Sequence, residues 1–207
     1  MFKRLFSSEL GRGAIILFIT MNFANFLNFL FHFLMGRMLG PADYGTLAVL
    51  MSIVYIYNVP SEAIQNIISK YTSILNFNKE DNKIKFLMKK SLKKGIIIGI
   101  ILFIIAIPCS WIISQFLKIN FWIIILTNVC IIFTMSGPVI RGVLQGRKKF
   151  NYLGYGIISE SIIKLIFSVF FVFIGFKVFG SIIGILIGSF FGILFSIMFN
   201  KDLLKNK

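Results

Sequence analysis

Three ionisable residues, Glu62, Glu160 and Lys164, stand in apolar surroundings where such groups are costly and mark substrate or ion paths. Glu160 and Lys164 are spaced i, i+4, so on a helix they share a face, and the simplest expectation is that they neutralise one another. At about 100° per residue, other polar side chains also fall on common faces. Asn22, Asn25, Asn28 and His32 form one stripe, and Tyr55, Asn58, Glu62, Gln65, Asn66 and Ser69 a second. Thr127, Thr134, Arg141 and Gln145 form a third, and Gly156, Glu160, Lys164 and Ser168 a fourth. Such residues do two kinds of work in a membrane: Asn, Ser and Thr hydrogen-bond between helices, whereas Glu, Lys and Arg line hydrated cavities. Asn25, Glu62, Arg141, Glu160 and Lys164 are the candidate lining of a substrate cavity.

Bond-breaking chemistry is not expected. The sequence has no G-x-S-x-G, no H-E-x-x-H and no Walker glycine loop, and it has only one His and 7 acidic residues. No cofactor or metal set is expected, and His32 is read as a hydrogen-bonding side chain. A membrane transferase using dispersed Lys, Arg and Glu is the enzymatic alternative.

The elements that must position these residues follow from composition. Of 207 residues, 57% are hydrophobic and 14% charged, with a mean hydropathy of +0.90, which excludes a soluble globular domain. Six apolar runs, near residues 13–35, 46–69, 95–117, 120–145, 151–176 and 178–199, are each long enough for a tilted crossing. The expected fold is all-α: residues 1–207 as a single lobe of six transmembrane helices. The tight 176–178 junction also reads as one interrupted helix. Met1-Phe2-Lys3-Arg4 is like a signal n-region, but no small-residue cleavage site follows, so the first run is read as an uncleaved span.

The net charge of +15 needs no nucleic acid, because six spans place all but Arg37, Lys118, Lys177 and the intraspan Lys164 of the 22 Lys and Arg on one side. That asymmetry predicts a multi-pass protein with both termini cytoplasmic, and it puts Trp111 and Trp122 near the outer interface. Cys109 and Cys130 lie in apolar runs with no disulfide or metal spacing. In residues 70–94, Ile84, Leu87, Met88 and Leu92 recur at helical spacing among lysines after a possible cap, Asp81. This predicts a helix lying on the cytoplasmic leaflet, with a solvated loop as the alternative. Pro60, Pro108 and Pro138 are expected to interrupt their helices. Gly180, Gly184, Gly188 and Gly192 make a small-residue ridge for close packing, within the bundle or against a second copy.

Two segments carry a family resemblance. Gly36-Arg37-Met38-Leu39-Gly40-Pro41-Ala42-Asp43-Tyr44-Gly45 and Arg141-Gly142-Val143-Leu144-Gln145-Gly146-Arg147-Lys148-Lys149-Phe150 are similar to patterns of prokaryotic polysaccharide biosynthesis proteins. Those are flippases for lipid-linked oligosaccharides, in the superfamily that also holds multidrug and toxic-compound extrusion transporters. The resemblance extends through Val59-Pro60-Ser61-Glu62-Ala63-Ile64-Gln65 and the Glu160 to Lys164 region. Physically, Gly40 permits a turn, Pro41 suits a first helical position, and Asp43 falls in a first turn. The resemblance implies a two-lobe, alternating-access transporter in a prokaryotic plasma membrane, with a polyprenyl-linked glycan as substrate and about six helices per lobe. This chain matches one lobe, so the second is supplied by a homodimer mate or a separate chain, unless the chain is a truncated product. A cation-coupled drug extruder and a non-transporting scaffold subunit are the competing expectations.

Overall fold

The computed structural model describes residues 9–204. Lys3, Arg4, Lys205 and Lys207, on which part of the orientation reading rests, lie outside the described residues. The chain is an all-α membrane protein: α1 (Glu9–Phe77), α2 (Asp81–Leu117), α3 (Phe121–Asn128), α4 (Cys130–Gly146), α5 (Phe150–Phe171), a π-helical turn (Val172–Phe176), α6 (Lys177–Met198) and the short α7 (Lys201–Leu204). Four helical stretches, Gly11–Phe77, Asp81–Leu117, Phe121–Gly146 and Phe150–Met198, are long and apolar enough to cross a membrane. Their outer faces carry bare hydrophobic side chains, such as Phe18 and Phe173. Lipid makes that arrangement favourable where water would not.

Two of the stretches double back. In α1, Gly40 leaves the helical region at φ 74°, ψ 174°, and Tyr44 Oη lies 3.3 Å from His32 Nδ1. Twelve residues of straight helix would separate them by about 18 Å, so the chain reverses at Gly40, and Pro41 starts the returning leg as its fixed φ favours. Gly175, at φ 102°, does the same between α5 and α6: Ser168 Oγ donates to the Ser181 carbonyl at 3.1 Å across the reversal. At both glycines a side chain would strain the backbone. Asp43 and Lys177, each just past one of these reversals, approach to 3.6 Å.

Several expectations need correction. The prolines do not break the helices; Pro60, Pro108 and Pro138 all lie inside continuous helix, and the interruptions fall at Gly40, Gly175 and Val129 instead. Residues 81–94 are helical, but they run without a break into 95–117 as one 37-residue helix. At 1.5 Å per residue that is about 56 Å, against a hydrocarbon core of roughly 30 Å. The lysine-rich segment is thus an extension of a span rather than a separate leaflet helix, with Ile84 and Met88 buried and its lysines outward. Asp81 is the first helical residue, not the cap; Glu80 holds that position and makes no side-chain capping bond. The glycine ridge is used within the chain: side chains at Gly180, Gly184, Gly188 and Gly192 would strike Phe171, Ser168, Lys164 and Glu160 of α5.

Two apolar cores bracket the bundle. One joins Phe31, Met35, Leu47, Leu50, Ile124 and Ile182 toward the Gly40 and Gly175 reversals, where the exposed Trp111 and Trp122 flank the turn between α2 and α3. The other joins Ile68, Ile84, Met88, Val143 and Leu203 at the lysine-rich end. There Asp202 of α7 accepts from Arg147 at 2.8 Å and from Lys149 at 2.7 Å, tying α7 to the α4–α5 turn. Partial burial pushes the Asp202 carboxyl up, but the hydrogen bonds and charges of Arg147 and Lys149 outweigh this and hold it well below the usual carboxylate range. A group whose folded-state pKa is depressed stabilises the fold above its unfolded value and ceases to as pH falls through the folded one. Asp202→Asn is expected to destabilise the protein by about 0.5–1 kcal/mol at neutral pH, given the half-exposed site. It should also flatten the loss of stability as pH falls below about 4, which melting in detergent at stepped pH would measure.

Candidate functional site

Between the two cores lies a polar interior. Arg141 is carried by α4, and Glu160 and Lys164 by α5, about 15 and 21 Å along the axis from Phe150, well inside the span. The Arg141 guanidinium donates to Glu160 Oε2, and Ser189 Oγ of α6 donates to Glu160 Oε1 at 3.4 Å. Lys164 Nζ donates to Asn28 Oδ1 and stands 4.9 Å from the centre of the Phe31 ring, a cation–π contact. The expected Glu160–Lys164 pairing is therefore not what forms: each takes a partner from another helix. The i, i+4 spacing aligns the two groups, but the stronger partner for a carboxylate is a guanidinium that can meet it with fixed N–H groups.

These groups border two adjoining cavities of about 480 and 690 Å³. Asn25, Asn28, Asn58, Ser61, Arg141, Glu160 and Lys164 line both, so the two compartments adjoin at these side chains. The larger compartment also has Glu62, Gln65 and Gln145 on its wall, and the smaller has His32 and Thr134. All five candidates, Asn25, Glu62, Arg141, Glu160 and Lys164, thus face one cavity. Glu62 is exposed there and, among the described residues, has no ion-pair partner. Of the stripe members, Asn22 donates to the Phe18 carbonyl of the preceding turn, Thr127 is buried on the Ile123 carbonyl, and Gly156 and Ser168 pack against α6. His32 bonds Tyr44, and among the described residues no cluster of His, Cys, Asp and Glu is arranged to hold a metal.

Sequence reasoning put Gln65 and Gln145 on polar faces without pairing them, and it missed Tyr57, Ser110 and Asn128. Gln65 Nε2 donates to Gln145 Oε1 at 2.9 Å, closing the cavity wall between α1 and α4. Beyond it, Tyr57 Oη donates to Asn128 Oδ1 at 2.8 Å and Asn128 Nδ2 to Ser110 Oγ at 2.7 Å, linking three helices through a buried polar chain. Asn128 stands next to the α3–α4 interruption at Val129, and a lone Asn in an apolar run was the available signal. The glycines of α6 matter here too. A Cβ at 188 would stand 2.7 Å from the Lys164 Cβ, and one at 192 would stand 2.8 Å from the Glu160 carboxylate. Their absence is what lets α6 press against the charged pair of residues and hold both at the cavity edge. Gly184, against the Ser168 backbone, tests packing without touching either charge. Gly184→Leu is expected to lower stability by about 3 kcal/mol or more, as overpacking of a tight contact does, read as a large drop in melting temperature in detergent.

The geometry can be set beside known proteins. Residues 10–204 match the pattern of the family described as polysaccharide biosynthesis protein. No curated protein matches the sequence. A solved structure of a MOP superfamily transporter from Pyrococcus furiosus, described with the words "reverse polarity of binding pocket suggests different function", superposes with a TM-score of 0.76 at 15% identity. The superposition covers 95% of this chain and 46% of that one, so this chain spans about half the length of that transporter.

Proposed function

The chain belongs to the polysaccharide biosynthesis protein family, and from that premise we propose that it is one lobe of a flippase moving a lipid-linked oligosaccharide across a prokaryotic plasma membrane. Family and fold point to a transporter-like role rather than an enzyme. In this reading the four long helical stretches make six crossings, with Gly40 and Gly175 as the points of reversal. Both termini lie on the cytoplasmic side, because the lysine-rich α2 extension and the Arg147–Lys149 turn share that end. The second lobe comes from a mate of the same kind or from a separate polypeptide.

The observation that carries the proposal is the cavity bordered by Arg141, Glu160 and Lys164 at membrane depth. A phosphate-bearing head group entering it meets Lys164, held by neutral Asn28, and Arg141, held by Glu160. Both cations can form charge-assisted hydrogen bonds to phosphate oxygens. Neither is wholly neutralised in advance: Lys164 faces an amide, and the Arg141–Glu160 pair keeps 27% and 23% of its side-chain surfaces open. Glu62, across the cavity, orients the incoming head group or holds a coupling cation. Between them, the asparagines and glutamines offer hydrogen bonds suited to sugar hydroxyls.

Deleting the chain in its host tests this directly. The expected result is loss of surface polysaccharide with accumulation of its lipid-linked precursor in the membrane. Normal surface polysaccharide together with new sensitivity to cationic drugs would overturn it in favour of a drug extruder working through Glu62.

A further inference from the structure

The two compartments of the central cavity share their charged border but not their other walls. Beyond that border the smaller adds mostly apolar side chains, among them Phe29, Met51, Phe133 and Ile185. The larger adds the carboxylate of Glu62, the amides of Gln65, Asn66 and Gln145 and the hydroxyl of Ser161, so hydroxyl-rich matter fits the larger one. Glu62 stands one turn of α1 beyond Asn58 of the shared border, about 6 Å along the helix axis toward the lysine-rich end. Its side chain is exposed, and among the described residues its carboxylate takes part in no ion pair and no hydrogen bond. The other charges on the lining are Arg141, Lys164 and Glu160, and Glu160 is committed to Arg141. The larger compartment therefore has separated poles: cations on α4 and α5, and an uncommitted carboxylate on α1. A group bonded to a phosphate at the cations and directed into the amide-lined space reaches Glu62.

We propose that Glu62 selects the charge of the sugar bonded to the phosphate: that sugar bears no acidic group, and an amine-bearing sugar is preferred over a neutral one. The inference rests on the flippase reading above, in which the phosphate occupies Arg141 and Lys164. A carboxylate on that first sugar would meet Glu62 with like charge, and repulsion of the wrong ligand discriminates without any further contact. An ammonium group there meets an opposite charge. Neutral hydroxyls find Asn58 and Asn66, one turn to either side of Glu62 on the same wall.

The full chain, extracted together with its second lobe in a neutral detergent, is titrated at low salt with three radiolabelled prenyl diphosphate glycolipids that differ only in their sugar: glucosamine, glucose and glucuronic acid. The wild type is expected to bind them in that order, with the acidic probe weaker than the neutral one by about tenfold. Glu62→Gln, which keeps the shape of the side chain, should erase the order and bring all three to within about twofold of one another. Raising the salt to about 1 M, where the screening length is about 3 Å, should shrink the same differences in the wild type, which tests the charge without any substitution. Equal binding of the three probes by the wild type, or an unchanged order in Glu62→Gln, would overturn the proposal. If Lys164→Gln then still loses all three, the phosphate site stands and only the role of Glu62 falls. Undiminished binding of all three by Lys164→Gln would overturn the flippase reading itself, and this proposal with it.

Discussion

Replacing Lys164 by Gln is expected to abolish transport, reducing surface polysaccharide at least a hundredfold in cells that carry only the variant, while the protein still inserts and folds. The separation of effects follows from the site. Gln keeps a donor for Asn28 Oδ1 and loses only the charge. Because Lys164 has no carboxylate within ion-pair distance among the described residues, removing that charge leaves no opposite charge stranded. Its cost to folding is therefore small, within about 1 kcal/mol by the usual range for loss of a hydrogen bond. Membrane yield and melting temperature should match the wild type. Normal polysaccharide display by this variant would remove Lys164 from the transport path.

Glu160→Gln behaves in the opposite sense, because it strips the partner from Arg141. Breaking a buried ion pair by removing one member costs about 3–5 kcal/mol, and the partial exposure of this pair places the expected loss at about 2–3 kcal/mol. Removing both charges with residues of similar volume, Arg141→Met/Glu160→Met, should recover most of that stability, since a hydrophobic pair needs no desolvation. Transport should not recover with it. A double variant that is stable and inactive assigns the pair to function. One that is stable and fully active would show the pair to be internal glue of the bundle. Thermal melts of Glu160→Gln and of the double variant, run beside polysaccharide display, give both answers from the same preparations.

How far the sequence revealed this arrangement can be traced residue by residue. The cavity lining was legible because polar side chains in an apolar helix have few places to go, so the faces bearing Asn25, Glu62 and Arg141 had to turn inward. The reversal at Gly40 was legible because Pro follows directly and cannot extend the preceding helix with a hydrogen bond. Beside Gly175 the signal was weaker: Lys177 parts the runs 151–176 and 178–199, but the junction also reads as one interrupted helix, and the packing of α6 on α5 is what shows a reversal. The partner of Glu160 was not legible either. Local spacing offered Lys164, whereas Arg141 lies 19 residues away and is brought alongside by helix packing. Nor could the sequence join Lys164 to Asn28, 136 residues apart. The prolines misled because each removes only a single backbone bond, and the turns on either side of all three stay helical. The 81–94 segment misled because nothing between it and residue 95 breaks a helix. Gly95 proves to be a contact rather than a hinge, since a Cβ there would come within 2.6 Å of the Met135 carbonyl.

The central claim is that Lys164 and Arg141 receive a phosphate-linked glycan lipid in the cavity between α1, α4 and α5. Native mass spectrometry of the protein, extracted gently from its own membrane, tests it most directly because lipids retained in the cavity travel with the protein. The account predicts a polyprenyl-linked glycan bound to the wild type together with its second lobe, and its loss from Lys164→Gln without loss of the assembly. Ordinary phospholipids alone on the wild type, or the same glycan retained in full by Lys164→Gln, would contradict it.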